Sequence, residues 1–154
     1  VAIANPSSIL FVCGRNSVRS PMARVLAEKL FPGRFYTASA GVAAGERDPF
    51  VDAVLAEIGL GLGQHRPRAL EDLEDFSFDL AVTLSPEAHH RTLELTRTEA
   101  MDVEYWPTPD PTLAAGSRAQ ILAAYRDLRD RLAARLRDRF PPPPSSVPSA
   151  GAMG

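Results

Sequence analysis

Cysteine is nearly absent from this chain: Cys13 is the only one in 154 residues. One thiol cannot form an internal disulfide, so the sequence does not read as a stapled secreted scaffold. An excess of one charge is lacking too. Lysine and arginine number 17 against 19 aspartates and glutamates, a net charge of −2, so no overall attraction to nucleic acid or a membrane surface is expected. No hydrophobic run approaches the ~20 residues that span a bilayer. The opening Val1-Ala-Ile-Ala-Asn-Pro6 has no basic segment followed by a long apolar core, so no secretory signal is expected. A reactive thiol survives best in a reducing compartment, which makes the cytoplasm the expected location. No internal repeat is present. His89 and His90 are adjacent rather than four apart, which is wrong for a zinc pair on a helix, and they are expected to face solvent.

What is there is concentrated in one stretch, Ile9-Leu-Phe-Val-Cys13-Gly-Arg-Asn16-Ser-Val-Arg19-Ser20-Pro-Met-Ala-Arg24. Ile9 to Val12 reads as a short buried strand ending at Cys13. Ser20 followed by Pro21 reads as an N-cap opening a helix. A loop between a buried strand and a helix N-terminus turns successive backbone N–H groups inward, and the helix dipole adds partial positive charge. That field favours the thiolate of Cys13, the nucleophilic form. Arg19, six positions on, can return across the loop and grip two oxygens of a tetrahedral anion. Nucleophile, oxyanion cradle and cation thus lie within one loop, Gly14, Arg15, Asn16, Ser17, Val18, Arg19 and Ser20. Asn16 suits the left-handed backbone that such a loop needs.

The remaining chain alternates strands with helices. Strands are expected near Phe35–Ala38, Phe78–Thr83 and Asp102–Trp106. Helices are expected over Met22–Phe31, from Asp48-Pro49 to Ile58, after Ser85-Pro86, and from Arg118 to Phe140 behind Gly116-Ser117. The last helix has a buried stripe of Ile121, Leu122, Tyr125, Leu128, Leu132 and Leu136, and an arginine- and aspartate-rich face, Arg129 included, expected in solvent. The connector Gly61–Arg68, with His65, Arg66 and Arg68, is expected as a solvated basic loop, with the rim of an anionic site as the other reading. Alternation of this kind gives α/β architecture: a parallel open sheet with helices on both faces and ligands at the carboxyl ends of strands. Residues 141–154, proline- and serine-rich, lack the means to build a core and are expected to be disordered.

Cys13-Gly-Arg-Asn16-Ser-Val-Arg19-Ser20-Pro-Met-Ala23 resembles the signature of the low-molecular-weight protein tyrosine phosphatases, roughly C-x-x-N-x-x-R-S-P-M-A. The resemblance covers about residues 8 to 140 and implies one such domain over 1–140, a three-layer open sandwich whose four-stranded parallel sheet has the order 2-1-3-4. It implies that Ser39, in Ser39-Ala-Gly-Val42, braces the phosphate loop with Asn16 and Ser20. It also implies that Asp110, in Asp110-Pro111, is the general acid. Catalysis would rest on Cys13, Arg19 and Asp110, acting on phosphate monoesters or phosphoproteins through a cysteinyl-phosphate, with no metal or organic cofactor. Thr112-Leu113 and Ala43-Ala44-Gly45 stand where relatives carry aromatic residues, so an aromatic substrate would lose stacking partners there. Two other readings stay open. One is an arsenate reductase of the same fold that uses an external small thiol, since no second cysteine exists. The other is a phosphate- or phosphoprotein-binding module without turnover.

Overall fold

A computed structural model of the chain describes residues 3–97 and 100–141, so the expected disordered tail lies, from residue 142 on, outside the described residues. Four strands, β1 (Ser8–Cys13), β2 (Tyr36–Gly41), β3 (Leu80–Thr83) and β4 (Asp102–Tyr105), alternate with four helices. The helices are α1 (Arg19–Leu30), α2 (Pro49–Ala56), α3 (Pro86–Thr96) and α4 (Arg118–Arg139). The strands pair in parallel in the order β2-β1-β3-β4. This is the expected α/β sheet.

Alternation along β1 explains the layers. Ile9, Phe11 and Cys13 point into one cluster with residues of α1, α2 and α4, while Leu10 and Val12 point into another with Ala88 of α3 and Leu70. Period-two alternation with apolar residues on both sides is what a strand covered on both faces requires. β1 therefore runs through the centre of the molecule, and Cys13 ends it between two flanking strands.

Several local expectations are corrected. α1 starts at Arg19, with Val18 at its N-cap and no side-chain cap. Ser20 is not the cap; it lies inside the first turn, and its hydroxyl is engaged by the loop instead. β2 runs past the expected end at Ala38 through Ser39, Ala40 and Gly41, which pair with Phe11, Val12 and Cys13 of β1. The other three expected helix starts carry side-chain caps. Asp48 accepts from Phe50 N, Ser85 from Ala88 N, and Ser117 makes a full capping box with Gln120. Arg129 leaves the solvated face of α4: it is 9% exposed and donates to the Val54 carbonyl and to Glu57. His89 is half-buried, with Nδ1 2.9 Å from Thr83 Oγ1 and its ring stacked on Tyr105. His90 is exposed as expected.

Candidate active site

The loop Cys13–Ser20 is built so that its carbonyls face away from its centre. The carbonyl of Cys13 accepts from Val42 N at 3.0 Å, that of Gly14 from Ala43 N at 3.0 Å, and that of Arg15 from Gly45 N at 2.8 Å. The Asn16 carbonyl accepts from His65 Nε2 at 3.0 Å. With four consecutive carbonyls turned outward, the amides of Gly14 to Val18 find no protein acceptor among the described residues. A run of such inward amides is an anion cradle. Asn16 makes the turn possible by adopting φ 56° in the left-handed region.

The strand-like segment behind the loop must come very close. A Cβ on Gly41 would lie 2.6 Å from Asn16 N and 2.7 Å from the Arg15 carbonyl carbon, and one on Gly45 would lie 2.5 Å from Ser17 Oγ. Both glycines are thus part of the loop's support.

Asn16 is fully buried and locked from three sides. Its Nδ2 donates to Ser20 Oγ at 2.8 Å, its Oδ1 accepts from Arg68 N at 3.0 Å, and His65 holds its carbonyl. Ser20 Oγ lies 3.0 Å from Cys13 Sγ and can also donate to the Ala40 carbonyl at 3.3 Å. The hydroxyl has one proton; beside a thiolate it goes to sulfur, which accepts the charge-assisted bond.

Ser39, expected to brace the loop, meets the connector instead. Its carbonyl accepts from Arg68 Nε at 3.0 Å, and its hydroxyl makes no hydrogen bond to the loop among the described residues. Solvated as expected at Gln64, Arg66 and Arg68, the connector Gly61–Arg68 does not rim the cleft, and at His65 it is half-buried. It is a strut behind the phosphate loop. Burial chiefly, aided by the charges of Arg24, Arg47 and Arg68, lowers the His65 pKa below its ordinary value, so the ring is neutral and donates from Nε2.

Arg19 and Asp110 meet over the same opening. Arg19 Nη1 donates to the Thr108 carbonyl at 2.9 Å, and Nη2 stands 4.0 Å from Asp110 Oδ2. Asp110 Oδ1 accepts from both Thr112 N and Thr112 Oγ1, which leaves Oδ2 open to the cleft. The cleft has a volume of about 520 Å³ and is lined by Cys13, Arg15, Ser17, Val18, Arg19 and Asp110, but not by these alone. Phe50 and Tyr125 line it as well, with ring centroids 5.2 Å apart. This corrects the expected loss of aromatic partners: the rings come from α2 and α4. Burial first, then the hydrogen bond to Asp48 at 2.6 Å, pushes the Tyr125 phenol well above its ordinary value and keeps it protonated. Among the described residues no three His, Cys, Asp or Glu side chains gather as a metal ion would require.

A thiol at the carboxyl end of a central parallel strand, under a ring of amides and an arginine, defines an α/β protein with a C-x5-R oxyanion loop. The family model described as "Low molecular weight phosphotyrosine protein phosphatase" matches residues 8–140, and the chain belongs to that enzyme family. Its curated relatives include the glutaredoxin arsenate reductase of Synechocystis sp., 26% identical over 83% of this chain and 92% of that protein. The arsenate reductase of Bacillus subtilis is 27% identical over 84% of this chain and 92% of its own length. Among solved structures, the low molecular weight protein tyrosine phosphatase from T. tengcongensis is 25% identical with a TM-score of 0.69, covering 86% of this chain and 95% of that one.

Proposed function

We propose that the protein is a phosphatase that hydrolyses phosphate monoesters, aryl esters such as phosphotyrosine among them, through a cysteinyl-phosphate. The observation that carries this is the convergence of Cys13, Arg19 and Asp110 Oδ2 on one cleft, over a loop whose first four carbonyls turn away. Cys13 thiolate attacks phosphorus in line while the inward amides and the Arg19 guanidinium take up the equatorial charge. The bond to the leaving oxygen breaks, and Asp110 Oδ2 gives that oxygen a proton. Asp110 then takes a proton from water, which attacks phosphorus, and the thiolate leaves with Ser20 donating to it. Phe50 and Tyr125 offer flat apolar surface to an aryl group. A phosphoprotein would be the macromolecular form of this substrate.

The names of the curated relatives favour one second reading, reduction of arsenate. Here Cys13 thiolate displaces hydroxide from arsenic(V). An external small thiol attacks Cys13 Sγ, two electrons pass to arsenic, and arsenite leaves. A second equivalent of that thiol reduces the mixed disulfide.

One assay separates the readings. Para-nitrophenyl phosphate turnover that disappears in Cys13→Ser supports the phosphatase. Thiol-dependent arsenite release with negligible ester hydrolysis supports the reductase. Phosphopeptide binding without either reaction leaves only a binding module.

A further inference from the structure

A second cavity, of about 450 Å³, shares no lining residue with the cleft. It lies between the outer edge of β2 and the connector, with Arg24, Arg66 and Arg68 around it, Thr37 and Gln64 beside them, and no carboxylate in its lining. At its edge Glu28 Oε2 accepts from Arg24 Nη1 at 3.0 Å and from Thr37 Oγ1 at 2.6 Å, and Arg68 donates from Nε to the Ser39 carbonyl. Arg66 has no ion-pair or hydrogen-bond partner among the described residues, and neither does the Nη pair of Arg68. Three guanidinium groups thus face one carboxylate at the edge of the cavity, and the net positive charge left over favours a further anion among them. Their planar forks suit the oxygens of a phosphate group better than a single carboxylate.

We propose that this cavity is a second binding site for a phosphate group, separate from the catalytic loop and linked to it. The link is Arg68: its guanidinium would hold the ligand while its backbone N–H holds Asn16 Oδ1. The phosphate can come from two sources. One is the free ion. The other is a phosphorylated side chain on a peptide laid along β2, an edge strand whose outer side is bridged only at Gly41, to Ala69, among the described residues.

The site stands whether or not the protein turns over esters, and it is tested by binding. The ¹⁵N-labelled full chain is titrated with inorganic phosphate and, separately, with a phosphoserine peptide. Amides of Thr37, Ala38, Gln64 and Arg66 report the cavity, while Gly14 to Val18 report the loop. Two sets that saturate at different concentrations are expected. Arg24→Gln/Arg66→Gln should weaken the cavity set by at least about tenfold, as loss of charge-assisted bonds to a phosphate implies, with the loop set and basal ester hydrolysis unchanged. Arg66→Glu alone, on an exposed side chain, should weaken it in the same direction. Tighter binding of the free ion, or of the peptide, identifies the source. The proposal is overturned if neither probe shifts the cavity amides, or if they follow the loop's midpoint and still do so in the double variant. A chain that binds here but hydrolyses no ester would sink the phosphatase reading alone.

Discussion

Asp110 offers the cleft one oxygen, because Thr112 occupies the other twice over. That oxygen, Oδ2, also stands 4.0 Å from Arg19 Nη2, so a role as acid and a role in holding Arg19 must be told apart by the leaving group. Asp110→Ala should lower kcat by ~10²–10⁴, the usual worth of general acid–base catalysis. The loss should be larger for an alkyl phosphate than for para-nitrophenyl phosphate, whose leaving group departs with little help. Equal losses on both esters would show that Asp110 acts only by holding Arg19. His65 carries a second prediction. Its pKa in the folded chain lies below the ordinary 6.5, mainly through burial. Above pH 6.5 both folded and unfolded chains hold it neutral and its contribution is complete. As pH falls through 6.5 the unfolded chain takes up a proton that the folded one resists, so stability declines. His65→Gln keeps a donor for the Asn16 carbonyl without titrating. Denaturation at pH 7.5 and 5.5 should show a smaller decline in the variant; identical declines would count against His65 as the cause. Cys13, Asn16 and Arg19 could be read from the sequence because one short stretch carries their chemistry. His65, Arg68 and Tyr125 could not. Their bonds reach Asn16 and Asp48 across 49, 52 and 77 positions, and no local pattern marks a partner that distant.

The loop is an element supported from behind, and Gly41 is where the support comes closest. A methyl group there meets backbone atoms of Asn16, Ala43 and Arg15, which have no rotamer to yield. Gly41→Ala should cost about 1–3 kcal/mol, the range for overpacking a tight site, and should reduce ester turnover beyond what that loss of stability explains. Gly61→Ala is the control, since a Cβ there meets nothing within 4 Å. Urea denaturation of both variants, with activity measured well below each midpoint, checks this; a Gly41→Ala protein as stable and active as the control would refute it. The same close packing explains what the element boundaries concealed. Ser39-Ala-Gly has turn composition, yet β2 needs small residues there to let the loop approach. Ser20 has the right chemistry for a cap, but its hydroxyl is taken up between Asn16 Nδ2 and Cys13 Sγ, and the helix starts one residue earlier, at Arg19, without a side-chain cap. The type of β1 and α4 left no such ambiguity, because a continuous apolar run suits a strand buried on both faces and apolar residues at helical spacing suit a long helix.

Across the whole molecule, the cleft depends on α2 and α4 staying together, since one supplies Phe50 and the other Tyr125. Polar contacts at both ends of α2 clamp them, besides the bond from Arg129 to the Val54 carbonyl. Tyr125 donates to Asp48 at one end, and Glu57 accepts from Arg126 and Arg129 at the other. These partners, Arg126 first and Arg129 next, lower the Glu57 pKa to about 2 from its ordinary 4.5. In the unfolded chain the pair is gone and Glu57 titrates near 4.5. Its contribution is thus complete well above pH 4.5 and drains away as pH falls through 2, below which both states are protonated. Asp52 and Asp75 are lowered as well, and so is Glu104, each by partners of its own, so acid unfolding of the native chain alone cannot isolate Glu57. The difference between the native chain and Glu57→Gln can. That difference should be largest at pH 5 and above and should shrink steadily toward pH 2, followed by circular dichroism in a denaturant series. Because the clamp also sets the spacing of the two rings, the KM for an aryl phosphate should rise in Glu57→Gln while kcat holds. A stability difference that stays constant from pH 5 to pH 2 would mean that Glu57 acts by packing rather than by charge, and the two helices would owe their alignment to the apolar stripe alone.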